Sequence, residues 1–298
     1  MLKQTLPTYQ IPDFENPSNA PDHFYYSRLN KHLITHQFIQ KPHKHDFFIL
    51  VLFTQGRGNH LIDFNYYSVN PNSAFFLSPG QVHSWTLSKD TNGHILFFSS
   101  DFYTSLFPLT KLNSFSFFHS NLTSPKLELR PEEMNEMNFY MEKIESEVMH
   151  PRWASLDLLK SFTDILLTNA HRIYMEKNPT PLHLELSSSQ FQKLELLIDS
   201  NFSNNREVNF YTDRMNMTLK QLNSLIKKKV GKTISKLIQE RVMLEAKRLL
   251  VHSDLTISAI AFRLKFDDPS YFSRFFKNNI SLTPEEFRTS AHHSASQT

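Results

Sequence analysis

The chain has 298 residues, and 40% of them are hydrophobic, which is enough for more than one domain with its own core. It contains no cysteine, so disulfides, thiolate zinc sites and thiol catalysis are excluded. The sequence shows no run of about eighteen apolar residues and no basic flank leading into an apolar stretch. We therefore expect a cytoplasmic protein with no membrane partner.

The net charge of +3 is unevenly distributed along the chain. Residues 1–189 carry 15 basic and 18 acidic side chains, a balance of −3, whereas residues 190–298 carry 17 basic and 11 acidic side chains, a balance of +6. A basic C-terminal third suits a polyanionic partner such as a nucleic acid.

The first part of the chain is rich in aromatic residues and has no helical period. Residues 1–30 predict an N-terminal arm that lies over the following domain, which we place at residues 31–177. Between His32 and Ser99, short aromatic and β-branched segments alternate with turn-forming segments, which indicates a sandwich or a small barrel. The predicted strands are HLITHQFIQ, DFFILVLFT, NHLIDFN, SAFFLS, VHSWTLS and HILFFS.

Helical periodicity follows Pro131. Apolar residues recur at spacings of three and four from Met134 to Val148 and again from Leu158 to Leu166, which predicts two amphipathic helices. These helices either pack on the strands or form a dimer interface, and we expect a homodimer. Residues 178–189, with two prolines and a serine run, are predicted to form a linker.

Residues 190–298 are predicted to form an all-helical domain. Thr218 with Gln221 is typical of a capping box, and Asp268 followed by Pro269 is typical of a helix start. Two segments, about 207–230 and 256–279, each predict a helix, a tight turn and a second helix, which is the pattern of a helix-turn-helix unit. The full set of predicted helices lies near 190–201, 207–215, 218–230, 234–252, 256–264, 269–279 and 284–291.

The helix predicted between the two units is long enough to set their spacing on DNA. Ile234–His252 has 19 residues, and about 1.5 Å per residue gives it a length of about 28 Å. One turn of B-DNA is about 34 Å, so this helix could hold two recognition helices in successive major grooves. Arg274 is the strongest candidate for reading a base, because arginine pairs bidentately with guanine.

The remaining DNA candidates follow from their outward position on the two recognition helices. Those near each helix start are candidates for base edges, and the lysines further along are candidates for phosphates. The base candidates are Lys220, Gln221, Asn223, Ser224, Pro269, Ser270, Ser273 and Arg274, and the phosphate candidates are Lys227, Lys228, Lys229 and Lys277.

Three segments carry a resemblance to a known family: LEAKRLLVHSDLTISAIAF, FDDPSYFSRFFK and LTPEEFR. They resemble the AraC/XylS transcription regulators over residues 190–291, which implies two helix-turn-helix units joined by a linker helix. PHKHDFF and FFLSPGQVHSW extend the resemblance more loosely to the N-terminal half, where it implies a cupin-like barrel. The implied fold class is an α+β multidomain protein: an N-terminal cupin-like β-barrel with two trailing helices, then an all-α domain.

The chain departs from the family pattern at two positions. Lys265 and Ser281 stand where the family usually has glycine. If these positions require a positive φ, each side chain costs on the order of 1 kcal/mol. We therefore predict that Lys265→Gly stabilises the C-terminal domain.

The histidines of the first domain resemble the motifs of metal-binding cupins. His43 and His45 share one strand face, and His83 on a neighbouring strand could join them. Metal cupins usually add a glutamate four or five residues after the second histidine, where this chain has Ile49 and Leu50. We therefore expect no metal, no cofactor and no enzymatic activity.

A small-molecule pocket in the barrel is the favoured alternative, because barrel interiors hold ligands between apolar walls and a few polar groups. Tyr25 and Tyr26 of the arm could close over it. The other alternative is that the histidines are structural, with their hydrogen bonds satisfied by the backbone. The candidate lining residues are His43, His45, His60, His83 and Trp85.

These observations predict a sequence-specific DNA-binding transcription regulator, an activator that acts as a homodimer under the control of an unidentified small-molecule effector. Double-stranded DNA is the expected partner, and RNA polymerase is considered as a further one. Two alternatives stay open. One is a metal-dependent cupin enzyme fused to a DNA-binding domain, and the other is a ligand-independent regulator with an empty barrel.

Overall fold

The computed structural model describes residues 6–14, 23–118, 123–178 and 185–295. The chain divides into two compact units, one formed by residues 7–180 and the other by residues 181–298 together with residues 1–6. Within the described ranges, no helix is both long and apolar enough to span a bilayer.

The first unit contains ten strands and five helices among its described residues. In chain order they are β1 (Thr8–Tyr9), β2 (Phe24–Arg28), α1 (Leu29–Thr35), β3 (Lys44–His45), β4 (Phe48–Gln55), β5 (Gly58–Ile62), β6 (Asn65–Val69), β7 (Ser73–Leu77), β8 (His83–Leu87), β9 (Asn92–Phe98), α2 (Ser100–Thr104), α3 (Leu109–Leu112), β10 (Lys126–Glu128), α4 (Pro131–Met149) and α5 (Ser155–Lys177).

Two antiparallel sheets and two long helices make up most of this unit. The larger sheet has the strand order β10-β7-β4-β9-β2, the smaller one has the order β6-β5-β8, and β1 pairs with β3 in parallel. The predicted fold class, a β-rich domain with two trailing helices before an all-helical region, is confirmed. In the described part of the chain, the strands form two open sheets that share a core rather than one continuous ring of hydrogen bonds.

The five-stranded sheet is apolar on both faces because it is buried on both faces. Side chains alternate along each strand, so Ile49 and Val51 of β4 enter a core shared with Trp85 of the smaller sheet. Leu50 and Leu52 point to the opposite side, into a core shared with α4 and α5. This burial explains why the central strands are apolar at nearly every position. A strand with one exposed face would instead alternate apolar and polar residues.

Two predictions for the N-terminal segment are wrong. Phe24–Arg28, placed in the arm, is strand β2, which pairs with β9 at the edge of the large sheet. Tyr25 and Tyr26 are therefore buried on opposite faces of this sheet and do not form a flap. The segment 32–40, predicted as a strand, instead contains the end of α1 and a 3₁₀ helix, Gln37–Gln40. Leu29 and His32, three residues apart, are both buried on one side of α1.

Helices α4 and α5 pack on the large sheet, which is one of the two alternatives predicted from their apolar residues; the other is a dimer interface. Met137, Met141 and Leu166 are fully buried in that core. The solvent-facing surface of α4 and α5 also carries apolar groups: Phe139 is half exposed, and Trp153, in the turn between the helices, is 95% exposed.

The second unit is helical throughout its described residues. Residues 185–189, predicted as linker, belong to the first of these helices, since no proline or glycine follows Pro181 to delay it; the linker residues 179–184 lie outside the described ranges. The helices are α6 (Glu185–Asn201), α7 (Val208–Met215), α8 (Leu219–Val230), α9 (Ile234–His252), α10 (Ile257–Arg263), α11 (Pro269–Ile280) and α12 (Pro284–Ala295).

Helix α9 lies at the centre of the second unit. It contacts α6, α8, α10 and α12, and Leu237, Val242 and Leu250 are among its buried residues. Its observed bounds coincide with the predicted Ile234–His252, so one continuous helix of 19 residues connects the two helix-turn-helix segments.

Candidate nucleic-acid interface and ligand site

Helices α8 and α11 are bounded in the same way. The N-cap residues are Thr218 and Asp268, and the C-cap residues are Gly231 and Ser281, so each pair is separated by 50 positions. The side chain of Thr218 accepts a hydrogen bond from the N–H of Gln221, and Asp268 accepts from the first-turn N–H groups of α11. The second helix of each unit therefore has 12 residues and presents equivalent positions at its start.

The turns that precede these two helices are also alike. Met217 N–H donates to Thr212 O at 3.0 Å, and Phe266 N–H donates to Ala261 O at 2.9 Å. These are the six-to-one bonds of a Schellman motif, which needs a left-handed residue at its C′ position. That residue is Asn216 in the first unit, with φ 50°, and a lysine in the second.

Both positions where the sequence departs from the family pattern have a positive φ. Lys265 has φ 59° in the turn, and Ser281 has φ 66° at the end of α11, where the first unit has Gly231 with φ 68°. The condition for the predicted strain is therefore met at both sites. Asparagine tolerates this region, whereas a lysine or serine has no such advantage.

Helix α8 presents a polar face. Lys220, Ser224 and Lys228 are exposed and lie four residues apart, so they share one side of the helix. Gln221 is exposed too, although its carbonyl oxygen accepts from Thr218 N–H at 2.8 Å, which leaves its amide N–H groups to face outward.

Asn223 differs from the other base candidates. It is only half exposed, and its side-chain oxygen accepts from Ile234 N–H at 3.0 Å. This contact supplies an acceptor to the first turn of α9, whose N–H groups lack helical partners. The structure thus gives Asn223 a role in holding α9 against α8, and its role as a base contact stays a prediction.

Helix α11 presents Ser270, Arg274 and Lys277 to the solvent. The Arg274 side chain is 68% exposed, and its nearest carboxylate oxygen, on Asp268, is 3.9 Å away, so the guanidinium is free to turn toward another acceptor. Ser273 is half buried and its hydroxyl donates to Pro269 O at 3.0 Å, so its role as a base contact stays a prediction. Pro269 is half buried and offers only an apolar surface.

The three consecutive lysines of α8 do not behave alike. Lys227 and Lys228 are exposed. Lys229 is half buried, and its Nζ lies 5.7 Å from the centre of the Phe191 ring on α6. Lys229 therefore packs beside Phe191 of its own unit, which makes it less available than Lys228, and its role as a phosphate contact stays a prediction.

Two exposed aromatic residues of the second unit were not among the predicted DNA contacts. Tyr271 is 54% exposed and Phe262 is 57% exposed. Tyr271 lies 50 positions after Gln221, which was predicted, so the same spacing could have identified it.

The five residues predicted for a ligand pocket come together in the core between the two sheets. Their ring centroids lie 4.3 Å apart for His43 and His83, 5.2 Å for His45 and His83, and 5.1 Å for His60 and Trp85. All five side chains are buried, with at most 6% of each residue exposed.

Burial keeps these imidazoles neutral. It lowers the pKa of His45 and of His60 to about 3 in each case, and it lowers the pKa of His43 and His83 as well. The Nδ1–H of His43 donates to Lys41 O at 2.8 Å, and that of His45 donates to Phe47 O at 2.6 Å. A carbonyl only accepts, so Nε2 of both histidines carries a lone pair.

The cavity at this cluster is small. Its volume is about 10 Å³, which is about the space that one water molecule needs. His43, His45, His83 and Trp85 line it, whereas His60 does not. The lining also includes His32, which was not predicted because its segment was interpreted as a strand; the other lining residues are Phe14, Ile39, Phe47, Ile49 and Phe97.

A groove of about 520 Å³ lies on the other side of Trp85, between the α1 region and the end of β8. Trp85 lines both spaces, and its Nε1 is buried without a hydrogen-bond partner, as are Nε2 of His45 and Nε2 of His83. Among the residues that the structure describes, no three His, Asp or Glu side chains are grouped so that they could hold a metal ion.

Comparison with known proteins adds two family matches. The model of the AraC-like ligand binding domain matches residues 23–122, and the model of a helix-turn-helix domain matches residues 211–290. The HTH-type transcriptional activator RhaS of Escherichia coli O1:K1 / APEC is 24% identical over 259 residues, which are 83% of this chain and 86% of that protein.

Two solved structures are also similar to parts or most of the chain. ToxT from Vibrio cholerae is 17% identical with a TM-score of 0.42, and the alignment covers 90% of this chain and 98% of that chain. The C-terminal domain of AraT, a response regulator from Geobacillus stearothermophilus, is 25% identical with a TM-score of 0.32 and covers 34% and 84%.

The two matched regions define a transcription regulator that joins a ligand-binding domain to a DNA-binding domain. The chain belongs to the AraC family of DNA-binding transcription regulators.

Proposed function

We propose that this regulator is a homodimeric, cytoplasmic activator without enzymatic activity, in which α8 and α11 read successive major grooves of one DNA site. The observation that carries the proposal is that these two helices begin and end at equivalent positions, with N-caps and C-caps that are each 50 residues apart in the sequence. Because the helices start at equivalent residues, their exposed polar side chains lie at the same distances from the N-cap. An activator of this kind would also contact RNA polymerase.

The exposed side chains of the two helices divide into base and phosphate contacts. Arg274 carries an exposed planar donor group on α11, which suits bidentate pairing with guanine. Lys220, Gln221, Ser224 and Ser270 are the accompanying base candidates at the helix starts. Lys227, Lys228 and Lys277 are exposed further along, where they suit phosphates.

The outer face of α4 and α5 supports the dimer. Phe139, Leu156 and Leu158 are each more than 40% exposed, and Trp153, in the turn between the two helices, is 95% exposed. Burial of such groups in a twofold contact would stabilise a dimer by roughly 25 cal/mol per Å² of apolar surface.

We infer that the effector acts at the histidine cluster and reaches it by displacing Trp85 toward the groove beside α1. The Nε2 lone pair of His45 is buried without a donor, which a hydroxyl supplies and a carboxylate does not. A neutral, hydroxyl-bearing effector therefore suits this site better than an anion.

The experiment that tests the DNA-reading roles compares neighbouring lysines with the same charge. In the full-length chain, Lys228→Ala should lower the slope of log Kd against log salt by about 0.9, as the loss of one phosphate contact requires. Lys229→Ala, the matched control, should leave the slope unchanged. Arg274→Ala should weaken binding by about 1–3 kcal/mol and relax preference at one base position. Equal effects of Lys228→Ala and Lys229→Ala would contradict the assignment.

A further inference from the structure

Arg206 makes an unusual contact within the second unit. It lies in the loop between α6 and α7, at the entrance to the first helix-turn-helix segment, yet its side chain contacts the turn of the second segment. The guanidinium carbon is 3.6 Å from the centre of the Phe266 ring, and Nη2 donates a hydrogen bond to Leu264 O. The two partners are the residues on either side of Lys265.

These contacts support the strained turn. The carbonyl of Leu264 lies at the end of α10, where carbonyls lack helical partners and a cation is favourable. The guanidinium carbon lies over the face of the Phe266 ring, which is a cation–π contact. Arg206 therefore fixes both neighbours of Lys265 and opposes relaxation of its left-handed backbone.

The turn around Lys265 contacts α11 and so determines the position of that helix. The Phe266 ring packs on Phe272 and Phe275 of that helix, with ring centroids 5.1 Å and 5.5 Å apart, and on Tyr271 at 6.0 Å. A shift of Phe266 would therefore move the recognition helix that carries Arg274.

We propose that Arg206 is a positioning residue that aligns α11 with the first helix-turn-helix unit, so that the chain reads both halves of its DNA site in one spacing. This inference rests on the proposal that α8 and α11 both read bases. Arg206 itself does not need to touch DNA in this role. Its action is to connect the start of one unit to the turn of the other, 58 residues along the chain.

The test uses full-length protein and a duplex selected from a random library with the unaltered chain. Two further duplexes keep one half of the selected site and scramble the other. Arg206→Ala should weaken binding to the complete site about tenfold, which is the order expected for a lost cation–π contact and charged hydrogen bond. Binding to the duplex that keeps only the α8 half should be unchanged, and a selection repeated with the variant should give variable spacing.

Three variants separate positioning from general stability. Arg206→Lys keeps the charge but loses the planar face, so it should resemble Arg206→Ala, and it carries the test if the alanine variant does not fold. Lys265→Gly in the Arg206→Ala background should restore part of the affinity. Arg241→Ala is the matched control, because Arg241 also covers a ring, Phe202 at 3.9 Å, but does not contact the second turn.

The outcomes are distinct. Equal weakening of both half-sites, equal effects of the Arg241 and Arg206 variants, or no effect of Arg206→Ala on a two-part site would overturn the positioning role alone. A single half-site selected by the unaltered chain would overturn the proposed DNA reading together with this inference.

Discussion

Replacing Lys265 by glycine should stabilise the second helix-turn-helix segment. The residue has φ 59° and an exposed side chain, so the substitution relieves backbone strain without removing a buried contact. A left-handed non-glycine residue costs about 1–2 kcal/mol, and glycine loses about 0.5–1 kcal/mol of conformational entropy that the lysine does not. The expected net gain is about 0.75 kcal/mol, the difference between the midpoints of these two ranges.

Hydrogen exchange in the full-length chain measures this gain where it should occur. The amides of α10 and α11 should exchange about two- to fivefold more slowly, because 1.4 kcal/mol corresponds to a factor of ten. Asn216→Gly is the matched control in the equivalent turn, and it should change exchange little because asparagine tolerates this conformation. Faster exchange in the Lys265→Gly chain, or an equal gain at Asn216, would refute the strain argument.

Three further predictions follow from buried or strained positions. The free energy of unfolding of the first unit should fall by about 1.4 kcal/mol for each of His45 and His60 when the pH is lowered from 7.5 to 5.5. The reason is that the unfolded histidine, with a pKa of about 6.5, takes up a proton that the folded one, with a pKa of about 3, does not. Urea unfolding followed by tryptophan fluorescence reports this unit, and equal midpoints at both pH values would contradict the burial argument. Gly93→Ala should prevent stable folding of the large sheet, since its Cβ would lie 1.9 Å from Leu52 O; a normal thermal melt would show that the strands are not paired as described. Ser281→Gly should slow amide exchange at the end of α11 for the same reason as Lys265→Gly, and no change would argue against strain at this second site.

The helices of the second unit could be predicted well because their boundaries are determined locally. Thr218 and Asp268 mark helix starts by their own side chains, and Gly231 marks a helix end by its backbone freedom. The strain at Lys265 could be anticipated for the same reason, since the family pattern has glycine at that position and a turn of this kind needs a positive φ.

Tertiary contacts decided the features that the sequence did not predict. Lys228 and Lys229 are adjacent residues of the same type, so the sequence does not show which of them is exposed. The structure distinguishes them, because Phe191 on α6 lies beside Lys229. The contact between Arg206 and Leu264 spans 58 residues and has no local signal. In the first unit, β2 belongs to the sheet only because β9 provides its partner.

The members of the histidine cluster could be predicted from the sequence, but the shape of the cavity beside them could not. His43 and His45 share a strand and His83 was expected beside them, so their meeting follows from the alternation of side chains along strands. The volume of the cavity depends instead on how the surrounding aromatic rings pack. That packing places Trp85 as the wall between the small cavity and the larger groove.

Selection of bound duplexes from a random library, with the full-length chain, tests the central claim most directly. Two recognition helices held by one helix of 19 residues predict a two-part motif whose halves are centred about one helical turn, or roughly 34 Å, apart. The half read by α11 should lose its strongest base preference when Arg274 is replaced by alanine. A motif of a single half-site, or no enrichment above non-specific binding, would contradict the account.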